Sequence, residues 1–126
     1  MKLNVDCLRS ILLSVEDKSF GKTMSIDDLQ ELLPSYSNDD LCYCVLKLHE
    51  AGFLNVNLVT MGQSINPGIK SIGELTITGH EFLENIRPEN VWEKTKHTAK
   101  KVGSYSVKVL ANISAKIITD LINSNI

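Results

Sequence analysis

Few side chains in this sequence are typed and spaced for chemistry, and spacing removes most of those. Cys42 and Cys44, with His49 downstream, have the composition of a metal site. On a helix, residues two apart point about 200° away from each other, so the two sulfurs cannot share one ion. His80-Glu81 followed by Glu84 falls short of the zinc-protease signature, because the second histidine is missing. No Ser/His/Asp grouping, Gly-rich phosphate loop or carboxylate pair stands out. The expectation is a protein that is not an enzyme, with no metal and no cofactor.

What is left is binding chemistry. Asn38, Tyr43 and Lys47 lie on one helical segment, where Asn38 and Lys47 can meet bases or phosphates and Tyr43 can stack. Gln63 and Lys70 flank a Gly/Pro-containing loop that also offers Asn66. Lys94, Lys96, Lys100 and Lys101 follow Trp92 and are the strongest phosphate-binding candidates, with a solvated helix face as the alternative. These nine residues form the candidate nucleic-acid set. Against it, Asp39 and Glu50 share the helix of Lys47 and repel phosphate unless they accept from cytosine amino groups.

The charge distribution leaves the same choice open. Residues 1–90 hold seven Lys/Arg against thirteen Asp/Glu, and residues 91–126 hold six Lys against two acids. A basic tail on an acidic body suits nucleic acid or an acidic partner, or it docks on its own body. The 126 residues, 43% hydrophobic and 22% charged, suffice for a real core and exclude wholesale disorder. Three cysteines without framework spacing read as reduced thiols, which points to the cytoplasm. No apolar run approaches the ~20 residues of a membrane-spanning helix, and Met1-Lys2-Leu3-Asn4 does not open like a secretory signal.

The elements that must position these residues are marked by their start signals. Asn4, Ser25 and Ser37 each stand where a helix N-cap belongs, with Asp28 and Asp40 at the third position of the second and third helices. Leu8, Ile11, Leu12 and Val15 recur at helical spacing. Pro34 keeps the second helix short, and Gly52 is placed to end the third. Beyond Gly52 the period shortens to two, so Leu54 to Val59 reads as a strand and Ser71 to Ile77 as another. Thr78 is expected to cap the next helix, with Glu81 completing a capping box and Ile77 stapling to Phe82.

This order of helix, helix, helix, strand, loop, strand, helix resembles the winged-helix fold. The stretch Leu46-Lys47-Leu48-His49-Glu50-Ala51-Gly52-Phe53-Leu54 looks like the end of a recognition helix entering a wing. Leu75-Thr76-Ile77-Thr78-Gly79-His80-Glu81-Phe82-Leu83 is similar to the stretch that closes many bacterial winged-helix regulators. With Val91-Trp92-Glu93-Lys94-Thr95-Lys96, the whole chain resembles a small uncharacterised bacterial and prophage family with no assigned activity. The resemblance implies an α+β, mostly helical fold: a winged helix-turn-helix over residues 1–87 and two extra C-terminal helices over 88–126. It also implies a phage or mobile-element setting. There the chain is expected to act as a DNA-binding transcription regulator on double-stranded DNA. The alternative is a protein-binding module that inhibits a host defence or transcription protein through its acidic body or its last helix.

That last helix, read as Tyr105 to Ile122, carries a stripe of Val107, Leu110, Ile113, Ile117 and Leu121. So apolar a face must be covered. A homodimer interface is the expectation, with packing on its own chain as the rival and a membrane surface ranked last.

Overall fold

The computed structural model describes residues 1–60 and 68–124. Helix α1 (Val5–Glu16) begins where Asn4 accepts a hydrogen bond from the Cys7 N–H. In α2 (Ile26–Leu32) the Ser25 and Asp28 side chains satisfy each other's backbone donors in a full capping box. Leu33 leaves the helical region just before Pro34, whose ring disfavours helix at the preceding residue. Ser37 caps α3 (Asn38–Glu50) through the Asp40 N–H. The chain then reverses at Gly52, whose φ of 81° a β-carbon would strain.

Strands β1 (Leu54–Val59) and β2 (Gly68–Leu75) pair antiparallel, and both extra residues in their register fall on β2. Met24 adds an isolated bridge on the far side of β2, exchanging N–H and carbonyl with Ile72 at 3.0 and 2.7 Å. Then follow α4 (Ile77–Ile86), α5 (Glu89–Val102) and α6 (Val107–Ser124). Gly103, at φ 82°, closes α5 and turns the chain into α6. The chain is therefore α+β and mostly helical.

The start of α4 corrects the sequence reading. Thr76, not Thr78, is the N-cap, and its Oγ1 accepts from the Gly79 N–H at 3.1 Å. Ile77 is the first helical residue rather than a strand residue, and it stands 80% exposed, so it does not staple to Phe82. Both threonines compete for the cap on local grounds. The choice is made from outside: the Thr76 N–H donates to the Phe53 carbonyl at 3.1 Å, which keeps Thr76 extended and non-helical, while both hydroxyls donate to the Gly52 carbonyl at 2.6 and 3.0 Å.

One hydrophobic cluster joins every element. Leu8, Ile11, Leu12, Leu41, Val45, Leu48, Leu54, Leu75, Phe82 and Leu83 all belong to it, as the sequence predicts. So do Trp92, Ala99, Val107 and Leu110 from the C-terminal helices, so the 87/88 division separates elements that share one core. Polar ties reinforce the junction. The Arg9 guanidinium donates to the carbonyls of Ile86 and Arg87 at 3.0 and 2.7 Å, satisfying the end of α4.

Arg87 in turn pairs with Glu16 of α1, Nη1 to Oε1 at 2.8 Å, and with Glu84. The Arg87 guanidinium holds the Glu16 carboxyl below its ordinary value of 4.5. A depressed folded-state pKa contributes stability above the unfolded value, and that stability is lost as pH falls through the folded one. Both groups are about a third exposed, which reduces the pair's contribution to roughly 0.5–1 kcal/mol. Glu16→Gln is expected to cost that much near neutrality and nothing once the carboxyl is protonated. Thermal melts of both proteins should converge as pH drops below the carboxylate range.

Candidate functional site

The outward face of α3 carries the residues expected to touch a partner. Asn38 opens the helix exposed, and its Oδ1 lies 3.6 Å from the Cys42 thiol. Tyr43 and Lys47 are half-buried side by side, with Nζ 5.2 Å from the ring centroid. Lys47 also donates to Glu50 Oε2 at 3.0 Å. That contact, with the Glu50 charge, raises the Lys47 pKa and spends its cation within the helix. The exposed Asp39 then leaves this face with a net negative charge.

Two adjoining hollows run from α3 toward the turn between α5 and α6. One, of about 470 Å³, lies among Leu3, Tyr43, Lys47, Glu50, Ser106 and Lys108. The next, of about 720 Å³, is lined by Lys2, Leu3, Val5, Lys96, Gly103, Tyr105 and Ser106. Lys2, Tyr105 and Lys108 were not singled out by sequence reasoning. They are isolated along the chain, and only packing of the N-terminal segment against the turn assembles them.

The lysines of α5 divide. Lys96 sits 2.9 Å from Asp6, 3.1 Å from Glu93 and 5.6 Å from the centre of the Trp92 ring. Burial lowers its pKa, but the two carboxylates outweigh that and raise it. Asp6 shifts the opposite way: burial would raise its pKa, and hydrogen bonds from Lys96 and from Trp92 Nε1 bring it below the ordinary value. Lys96 therefore serves as a strut between α5 and α1. Lys94, Lys100 and Lys101 are exposed, and among the described residues none has an ion-pair partner. Lys100 and Lys101 occupy the last turn of α5, where the helix dipole favours cations. Lys70 is exposed on β2, on neither hollow. Gln63 lies outside the described residues.

The apolar stripe of α6 is mostly covered by its own chain. Val107, Leu110 and Ile117 are buried and Ile113 packs against the core, with α4 and α5 as the neighbouring helices. For Val107, Leu110 and Ile117 the expected intersubunit face is corrected to packing in cis, since a side chain already dry gains nothing from a second copy, while Ile113 is only partly covered. Leu121 and Ile122 remain 43% and 58% exposed.

The cysteines separate as helical geometry requires. Cys7 and Cys44 are buried against each other between α1 and α3, and Cys42 is only half-buried. The Cys7 contact and burial push the Cys44 thiol well up, so it stays protonated. Among the described residues no group of three or more His, Cys, Asp or Glu is placed to hold a metal ion. No described helix is long and apolar enough to cross a membrane.

Fold and surface together define a small α+β domain whose distinctive features are an outward helix face and the shallow hollows beside it. Residues 2–106 match the hypothetical-protein family DUF2513, and the chain belongs to that family. It is also similar to an uncharacterized protein of Haemophilus influenzae, 28% identical over 123 residues, covering 97% of this chain and 99% of that one. No solved structure matches.

Proposed function

We propose that this protein is a non-enzymatic binding module on a winged-helix scaffold, and that its outward α3 face engages another protein. The scaffold reading is supported by the order α1, Met24 bridge, α2, α3, β1, β2, which follows the helix and strand sequence of that fold. The single observation that carries the partner reading is electrostatic. The cation of Lys47 is paired with Glu50, Asp39 is exposed, and residues 51–69, which run from the end of α3 through β1 into β2, contain no charged residue at all. A surface meant for phosphates, each a full negative charge, needs free cations at those places. Outside that face, Phe20 on the loop between α1 and α2 is 96% exposed, and Glu74 pins the loop through Lys18 and the Gly21 N–H. Aromatic anchors held ready in this way are typical of protein interfaces. In the mobile-element setting that the resemblance implies, the partner is a host defence or transcription protein.

A second reading, a regulator that binds double-stranded DNA, is favoured by the exposed Lys94, Lys100 and Lys101 together with Lys2 and Lys108. One pair of measurements separates the two. Under the protein-partner reading, affinity capture from a bacterial host extract yields a saturable partner that Asp39→Lys with Glu50→Lys abolishes. Replacing Lys94, Lys100 and Lys101 by Gln leaves that capture intact. Under the DNA reading, random duplex binds at low salt, and the triple Gln variant flattens the slope of log affinity against log salt by up to about three phosphate contacts. A salt-dependent duplex complex without protein capture overturns the first reading.

A further inference from the structure

The free edge of the hairpin carries an inference that does not depend on whether the partner is protein or duplex. Met24 and Ile72 exchange both backbone hydrogen bonds, so the N–H and carbonyl of Ile72 point away from β1. Val56 stands opposite Ile72, and in an antiparallel pair the two residues of such a position both point outward. Because the extra residues lie on β2, β1 alternates regularly, and Leu54, Val56 and Leu58 all present their backbone groups to the open side. At Leu54 the carbonyl is met by His49 Nδ1 at 3.1 Å. At Val56 and Leu58, among the described residues, nothing meets them.

Natural edge strands are protected by lysine, proline, an inserted residue or a covering element, because an open edge templates pairing with another chain. Here β1 reads Leu54-Asn55-Val56-Asn57-Leu58-Val59: no charge, no proline, no inserted residue. Leu58 and Val59 are 38% and 36% exposed.

We propose that β1 pairs antiparallel with β1 of a second copy of this chain, about a two-fold axis at Asn57. The strand is complementary to itself. With Asn57 opposite Asn57, Val56 of each copy faces Leu58 of the other, and each such pair exchanges two backbone hydrogen bonds. The four outward groups at Val56 and Leu58 are thereby all satisfied. Within the paired strands no like charges meet, since residues 51–69 carry none; the nearest charges are Asp39, Lys47 and Glu50 of α3, which share a hollow with Leu58. On the axis, Asn57 has its Nδ2 donating to Ser71 Oγ at 2.7 Å, and among the described residues its amide oxygen meets no donor, so it can accept across the interface. The product is a continuous four-stranded sheet, β2-β1-β1-β2.

The test is the mass of the intact protein by light scattering, combined with residue-level amide exchange. At high micromolar concentration a dimer is expected, with the Val56 and Leu58 amides protected and losing that protection on dilution. Val56→Pro removes an outward N–H that β2 does not use, and Leu58→Lys installs the missing edge charge. Each is expected to halve the mass while leaving the helical circular dichroism unchanged. If Val56→Pro fails to fold, Leu58→Lys and the exchange data decide alone. A wild-type monomer at that concentration overturns the proposal. So does a dimer that persists in folded Leu58→Lys, or one whose Val56 and Leu58 amides exchange freely; the last would place the contact elsewhere, for example at Leu121 and Ile122.

Discussion

Replacing Trp92 by alanine is expected to lower the unfolding free energy by about 3–5 kcal/mol, the range for truncating a large buried aromatic. Trp92 is the largest fully buried side chain, 1% exposed, and it is the hinge by which the C-terminal helices join the core. Its ring packs inside the shared cluster while Nε1 donates to Asp6 Oδ1 at 3.0 Å, binding α5 to the first turn of α1. Truncation leaves a cavity the surrounding aliphatics fill only in part, and it strips Asp6 of one of the bonds that keep its pKa low. Trp92→Phe retains most of the volume and loses the donor, at a cost of about 1 kcal/mol or somewhat more, because the acceptor is charged. Denaturant titrations followed by circular dichroism measure both. A midpoint shift below that of Trp92→Phe in the alanine variant would mean that residues 88–126 fold apart from the rest.

Gly79→Ala is the second severe change, expected to cost about 3 kcal/mol or more through overlap that cannot relax. A β-carbon there would lie 2.0 Å from the Phe53 carbonyl oxygen and 2.9 Å from its carbon, both backbone atoms. Phe53 cannot retreat, because the same carbonyl accepts from the Thr76 N–H at 3.1 Å and the Phe53 N–H donates to Leu48. The first turn of α4 therefore rests directly on the chain reversal that leads from α3 into β1. Gly103→Ala is the control: its φ of 82° is strained for alanine, yet nothing lies within 4 Å of the added carbon. That variant is expected to lose only about 1–2 kcal/mol. Equal melting temperatures for the two variants would show that α4 is not seated on Phe53.

What sequence alone determined here was local. A cap needs one side chain and a backbone N–H two or three residues on, so Asn4, Ser25 and Ser37 could be read directly. The core was legible for the same reason, since helical and strand periodicity name a buried face without knowing what covers it. The charge-free run of residues 51–69 was equally open to reading and is the signal that sequence reasoning passed over. Tertiary structure decided whatever depended on partners distant in the chain. Thr76 prevailed over Thr78 because its N–H pairs with the Phe53 carbonyl, which sets where α4 starts. Lys96 became a strut through Asp6, ninety residues away, while Lys94, Lys100 and Lys101 stayed in water. The stripe of α6 announced a cover, but only packing against α4 and α5 supplied it. The outward direction of Val56 likewise follows from a bridge between Met24 and Ile72 that no local pattern encodes, because strand pairing fixes register and backbone direction only once the strands have met.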